Sequence, residues 1–318
     1  KRIGRDRFVR NVLIAIGNSG DAALAASAAS LLADASPLVR AMAVWALARL
    51  APEAIPAARA IEQTGLTVTM DLLGESVTSS AAAGAATTGY LEVMQKIADA
   101  GIGRNVSLKL TQLGLDIDRA TCVDNLRRIL DVASAQQFFV RIDMENSPYT
   151  ERTLEIFETL WGIGYRNAGV VIQSCLKRSE ADIRRVNTLG ARVRLVKGAY
   201  KEPAEVAFQQ KSDVDAAYIA LAKLLLTDGA YPAIATHDET MITAVNAFAT
   251  AQGIAKDKYE FQMLYGIRRD LQASLLAAGH PVRVYVPFGK EWFPYFMRRL
   301  GERPANIGFV LKGILGER

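Results

Sequence analysis

Eight short apolar runs, each followed by a stretch of helical pattern, constrain the fold of this chain more than any other feature. They fall at residues 67–71, 105–110, 138–143, 169–173, 192–197, 232–236, 259–263 and 282–286. Strands alternating with helices build a parallel sheet, and eight regularly spaced units suit closure into an α/β fold of the (β/α)8 barrel type. An open doubly wound sheet is the alternative. Nearly every run delivers a polar or charged residue at or near its end: Asp71, Lys109, Asp143, Gln173, Arg194 with Lys197, His237, Gln262 and Tyr285. Barrel enzymes keep their chemistry on the face where strands end, so these side chains mark where a reaction is expected.

A barrel takes roughly 250 residues, and the 318 present leave a surplus. Half of the residues are hydrophobic and 22% are charged, as in an ordinary enzyme with a sizeable core. No apolar run approaches the roughly 20 residues of a membrane span, and no signal peptide is visible. Net charge is +5, from 38 basic and 33 acidic residues. That mild excess suits anionic ligands or an anionic membrane surface. It is too dispersed for nucleic acid, because no basic run interleaves with aromatics. Cys122 and Cys175 stand alone and far apart, which fits a reduced cytoplasmic protein and offers neither a disulfide framework nor a zinc cluster. With only His237 and His280 available, no metal site is expected.

Residues 1–53 read differently. Helical patterns cover 8–16, 22–32 and 37–50, with a turn at 17–20, Ser36 as a cap and Pro37 in the first helical turn. This alanine-rich arm resembles a HEAT repeat. The string KRIGRDRFVRNVLIAIGNSG is similar to the HEAT-like C-terminal part of bacterial epoxyqueuosine reductases, whose iron–sulfur cysteine clusters are absent here. So short a solenoid fragment cannot bury both its faces alone, and an appended helical arm is expected. The break falls in APEAIP at 51–56, so that the barrel domain is expected over 54–318. Helices are expected at 54–63, 84–100, 119–135, 150–161, 179–189, 212–227, 239–252, 267–278 and 290–300, with a final segment after Pro304.

Three constellations carry chemistry. In YVPFGKEWFPYFMRRLGER, Tyr295, Arg298, Arg299 and Glu302 share one helix face. Two adjacent guanidinium groups there can grip a carboxylate, with Glu302 orienting them; a solvated charged face is the plainer reading. Lys109 in VSLKL and Asp143 in FVRID lie on neighbouring strands, where burial demands an ion pair or a functional role. A second carboxylate, Glu145, follows Asp143 by two residues, but no sugar-binding aromatic pattern supports glycoside hydrolysis. Lastly, RLVKGAY at 194–200 stands with Gln173 and Thr236–His237. Its Lys197–Gly198 step lets backbone approach an anionic cofactor. No G-x-G-x-x-G or P-loop occurs. A lone histidine such as His237 is more often structural, though a place beside Thr236 just past a strand favours a functional one.

The ordered segments MDLLGE, VSLKL, RIDME, VIQS, RLVKGAY, ATHDE, YEFQMLYG and YVPFG…YFMRRLGE resemble the proline dehydrogenase family over about residues 54–316. The resemblance implies a distorted (β/α)8 barrel with noncovalent FAD at the strand ends and an eighth helix over the mouth. It implies that Arg298 and Arg299 clamp the carboxylate of L-proline, that Lys109, Asp143, Leu264, Tyr285 and Tyr295 line the pocket, and that Glu302 supports the arginines. Asp143 and Arg194 are the expected catalytic residues, with Arg194 near the reactive nitrogen of the flavin. Met144, Gln173, Arg194, Lys197, Gly198, Ala199, Thr236 and His237 are the expected FAD contacts. In some bifunctional relatives a tryptophan follows the tyrosine equivalent to Tyr200, whereas Lys201 stands here. The implied reaction yields Δ1-pyrroline-5-carboxylate in proline catabolism. Electrons then go to a membrane quinone, which makes the protein peripheral to the inner membrane. Two other classes remain open: a Schiff-base lyase or aldolase using Lys109 or Lys197, and a noncatalytic helical-repeat adaptor built on 1–53.

Overall fold

Each apolar run becomes a strand, and the strands pair in chain order around a closed, wholly parallel barrel. The structure is a computed structural model that describes residues 54–289, the stretch 4–19 and isolated positions between 24 and 42. The strands are β1 Thr67–Leu72, β2 Asn105–Leu108, β3 Phe139–Ile142, β4 Ala168–Gln173, β5 Arg192–Val196, β6 Ala233–Ala235, β7 Glu260–Leu264 and β8 Val282–Phe288. The seam lies between β8 and β1, which pair continuously from Thr67 with Arg283 to Leu72 with Phe288. That seam removes both sheet edges and with them the open-sheet alternative.

Side chains alternate across a strand, and here the alternation separates two chemistries. Val68, Met70, Val106, Leu108, Val140, Ile142, Val193 and Leu195 form one buried apolar set. The intervening residues Thr69, Ser107, Arg141, Arg194, Glu260 and Gln262 are buried and polar. Thr69 and Ser107 share a hydrogen bond of 3.2 Å, and Arg194 donates to Gln262 across the barrel. The polar set therefore fills the bore while the apolar set faces the helices. A bore of branched aliphatic layers is the usual solution; this barrel has a hydrogen-bonded one.

In chain order the helices are α1 Arg5–Ser19, α2 Ala54–Glu62, α3 Ser80–Ala100, α4 Arg119–Ala135, α5 Ser147–Gly162, α6 Ser179–Asn187, α7 Lys211–Asp228, α8 Glu239–Ala251 and α9 Arg269–Ala277. Local chemistry sets their ends. Ser79 accepts from the Ala82 N–H to cap α3, and Asp118 and Asp238 do the same for α4 and α8. Gly101, at φ 67°, ends α3 in the left-handed region. The start of α3 precedes the expected residue 84 because Ser79 supplies a cap where the following small residues give no apolar rhythm. Likewise α5 starts at Ser147, with Pro148 in the first turn where a missing N–H is harmless. Short 3₁₀ turns at Thr111–Leu113 and Lys256–Lys258 were not expected from the pattern.

By its own contacts the chain divides into two compact units, residues 58–302 and residues 1–57 with 303–318. In the smaller unit α1 runs through Gly17 to Ser19 rather than turning at 17–20, and the Ser19 hydroxyl donates to the Ile16 carbonyl at 2.6 Å. A single glycine near a helix end costs only about 1 kcal/mol. The expected helices at 22–32 and 37–50 lie largely outside the described residues, and those at 290–300 and after Pro304 lie wholly outside them.

Gly169 on β4 shows how tightly the lower bore is closed. A Cβ there would stand 2.7 Å from Arg141 Nη1 and 2.8 Å from the Phe139 ring, and would collide with the Arg192 carbonyl. Gly169→Ala is expected to lower the unfolding free energy by about 1–3 kcal/mol, read from urea denaturation. An unchanged midpoint would contradict this close packing.

Candidate active site

Arg194, from β5, lies 4% exposed in the bore and is held on three sides. Its Nη1 donates to Asp143 Oδ1 at 2.5 Å, its Nε to Gln262 Oε1 at 2.6 Å and its Nη2 to Ser107 Oγ at 3.0 Å. The Tyr285 ring lies 5.3 Å from the guanidinium carbon, and the Tyr285 hydroxyl donates to Asp143 Oδ2 at 2.8 Å. Five strands thus converge on one cation. Planar, forked donors in fixed positions are what an arginine provides and a lysine does not. Beneath it Gln262 donates to Glu260, which also receives a forked ion pair from Arg283 at 2.9 and 3.0 Å. Burial works to raise the Glu260 carboxyl, but the charge and hydrogen bonds of Arg283 outweigh it and hold the group below its ordinary range.

Lys109 and Asp143, for which an ion pair or a functional role is expected, have different partners. Asp143 belongs to Arg194, and Lys109 faces Asp71 at 3.7 Å. Both Asp143 oxygens are already taken, by Arg194 and by the Tyr285 hydroxyl, and Asp71, opposite Ser107 in the β1–β2 register, is the carboxylate that Lys109 faces. Burial acts against the Lys109 ammonium; Asp71 and Asp143 overcome it and lift the group above its ordinary value. Burial pushes the Asp71 carboxyl upward against the opposing pull of Lys109. Glu145 is committed elsewhere. Its oxygens accept from the Thr111 N–H at 3.2 Å and the Thr111 hydroxyl at 2.6 Å, which fixes the loop after β2 and leaves no glycosidase-like pair with Asp143.

The expected cofactor contacts follow the ends of β3 to β6. Gln173 is buried at the end of β4 and donates to the Glu145 carbonyl at 2.8 Å, which leaves its oxygen as an acceptor. Met144, directly after Asp143, is buried. Gly198, beyond β5, has φ 110°, and a Cβ there would run into the Cys175 sulfur. Only glycine fits there, since a side chain would meet Cys175 and the positive φ disfavours one. Ala199 follows it in the same loop. Lys197 stands between Asp215 at 2.6 Å and Asp238 at 2.8 Å, so its charge is already countered. The Thr236 hydroxyl accepts from the Asp238 N–H at 3.1 Å. His237 Nε2 accepts from the Leu264 N–H at 2.8 Å, which leaves Nδ1 as the protonated ring nitrogen and ties His237 to the end of β7.

The structure therefore gathers Lys109, Asp143, Arg194 and Tyr285 at the mouth of the bore, and ties His237 to Leu264 beside it. Tyr295, Arg298, Arg299 and Glu302 lie outside the described residues. Ser107 and Asp71 carry contacts that sequence reasoning had not assigned. Their signal was a polar residue at an alternate position inside an apolar strand. Neither cysteine is primed as a nucleophile: burial pushes Cys122 up to about 12 and Cys175 up to about 11.

A family model described as proline dehydrogenase matches residues 54–312. This chain belongs to the proline dehydrogenase family. Proline dehydrogenase 2 of Bacillus subtilis is 45% identical over 260 residues, covering 82% of this chain and 86% of the relative. The proline dehydrogenase of Deinococcus radiodurans is 43% identical over 266 residues, with the same two coverages of 82% and 86%. Among solved structures, proline utilization A from Bdellovibrio bacteriovorus, inactivated by N-propargylglycine, superposes with a TM-score of 0.74 at 27% identity. That match covers 82% of this chain and only 33% of the larger protein.

The buried Asp143–Arg194 pair yields a stability test. Asp143→Asn and Arg194→Met are each expected to lower the unfolding free energy by about 3–5 kcal/mol, since each strands a buried partner. The double variant should fall short of their sum by about 1–3 kcal/mol. Strict additivity in urea denaturation would mean that the two groups are not coupled.

Proposed function

We propose that this flavoenzyme oxidises L-proline to Δ1-pyrroline-5-carboxylate, with FAD as its resident electron acceptor. The single observation that carries the reading is the fixed guanidinium of Arg194 below the barrel mouth, in a chain matched to proline dehydrogenase over residues 54–312. In the reaction the ring nitrogen gives up a proton and C5 gives up a hydrogen with its bonding pair, so that a C5=N double bond forms. FAD, when bound, supplies the two-electron acceptor for that hydrogen.

The residues of the chain do the rest. Arg194 is held by three acceptors before any charge develops, so it needs no rearrangement to stabilise negative charge arising in the mouth. Lys109, kept charged by Asp71 and Asp143, offers an ammonium to the substrate carboxylate. Arg298 and Arg299 are proposed as the clamp on that carboxylate, with Glu302 in support and Tyr285, Tyr295 and Leu264 shaping the pocket. Holding a small ring by its carboxylate fixes where C5 lies. Gln173, the Met144 backbone, Lys197, Gly198, Ala199, Thr236 and His237 are proposed to hold FAD. The acceptor oxygen left on Gln173 supports this, whereas Lys197 would have to leave Asp215 or Asp238 to meet an anionic group.

Electrons are proposed to pass on to a membrane quinone, the protein lying on the cytoplasmic face of the membrane as a peripheral partner. Residues 1–53 are proposed as an arm appended to a barrel domain at 54–318. A Schiff-base lyase would need a neutral amine nucleophile. Lys109 sits among carboxylates that hold it charged, and Lys197 is paired to two more, which favours the dehydrogenase reading.

Anaerobic titration of the purified protein with L-proline, followed by absorbance, tests the proposal. The wild type is expected to be yellow and its visible bands to bleach. Arg298→Ala should require far more proline, losing about 30- to 900-fold in kcat/KM, or about 2–4 kcal/mol. A colourless protein, or a flavin that proline leaves oxidised, would overturn the proposal.

A further inference from the structure

Two carboxylates stand at the mouth of the bore, and their surroundings differ. Asp143 is bonded through both oxygens, to Arg194 and to Tyr285. Asp71 is 0% exposed, and the push of burial on its carboxyl is opposed by the Lys109 charge and by a hydrogen bond from the Tyr285 hydroxyl. The Lys109 ammonium that it faces stands off at 3.7 Å. A buried carboxylate is expensive to maintain, and a pair kept only for stability gains most by closing to contact. An ammonium carries three donors, and set back from Asp71 it keeps them for another acceptor.

We propose that Asp71 is a positioning residue that fixes Lys109 as a permanent ammonium ion at the barrel mouth, held off from contact so that its donors serve a carboxylate ligand. This deepens, and rests on, the reading of the site as one that oxidises a cyclic amino acid. Lys109 itself touches the ligand; Asp71 acts through it.

The charged and titratable surroundings of the pair are specific. Lys109 faces Asp71 from β1, Asp143 and Glu145 from the loop after β3, and Tyr200 from the loop after β5. Asp71 faces Lys109, Asp143, Arg194 from β5 and Tyr285 from β8, and Tyr90 approaches it from α3. Burial works to remove the proton from Lys109, and Asp71 is the strongest of the groups that oppose it. Asp143 cannot take over this role alone, because its charge is countered by Arg194. Without Asp71 the ammonium loses its proton at a lower pH, and the carboxylate grip becomes dependent on pH.

Competitive inhibition of the holoenzyme by cyclopentanecarboxylate, a ring carboxylate with no ionisable nitrogen, reads this grip from about pH 6.5 to about pH 9.5. In the wild type the inhibition constant should stay within about twofold across that window. In Asp71→Asn the inhibitor should bind as tightly as in the wild type, or more tightly, at the acid end, because one facing carboxylate has been neutralised. At the alkaline end it should weaken by about tenfold or more as Lys109 deprotonates. A damaged pocket would instead weaken binding by one factor at every pH. Adding Lys109→Arg to Asp71→Asn should flatten the profile again, since a guanidinium stays charged. If Asp71→Asn does not fold, Asp71→Ser is expected to show the same alkaline loss. A profile parallel to the wild type in either variant overturns the positioning role while leaving proline oxidation intact. A wild type that neither reacts with proline nor binds the inhibitor overturns both.

Discussion

One buried cation organises this barrel. Arg194 sits where a (β/α)8 fold normally packs aliphatic side chains, and a guanidinium there is tolerable only if its donors are met. Asp143, Gln262 and Ser107 meet them from β3, β7 and β2, and each acceptor has further partners of its own. Tyr285 completes Asp143, and Glu260 with Arg283 completes Gln262. The polar bore follows from that requirement. Layer by layer, the hydrogen bonds that make the cation affordable also stop it from moving, which is the property a site of charge development requires.

The fold was legible because a period of two and a period of 3.6 leave different marks, and eight repeats of the pair admit few topologies. Asp143, Arg194 and Tyr285 were legible as polar residues delivered near strand ends. Pairing was not. Lys109 and Asp143 read as natural partners from adjacent strands, but Arg194 and Tyr285, from strands across the barrel, take both Asp143 oxygens and leave Lys109 to face Asp71. Ser107 and Glu260 had only the weak signal of a polar residue at an alternate position in an apolar run, which does not say what it will meet until the barrel closes. The continuation of α1 through Gly17 is a similar case, because one glycine weakens a helix without obliging it to end.

Two kinds of charge management meet at the mouth. Arg194 is locked by contact, with acceptors at hydrogen-bond distance on three strands. Lys109 is held at a distance, across 3.7 Å from the buried carboxylate of Asp71. The first arrangement suits a group that must stay still beside a cofactor, and the second a group that must keep its donors for a ligand. The same division explains why Lys197, close to Gly198 in sequence, belongs to neither class: Asp215 and Asp238 already flank it.

The immobilised Arg194 cation below the barrel mouth is proposed to stabilise negative charge on FAD, and the two-electron midpoint potential reads that interaction directly. In Arg194→Gln, with FAD retained, the potential is expected to be lower than that of the wild type by at least about 30 mV, corresponding to about 1.4 kcal/mol. An unchanged potential in a variant that still holds its flavin would contradict it.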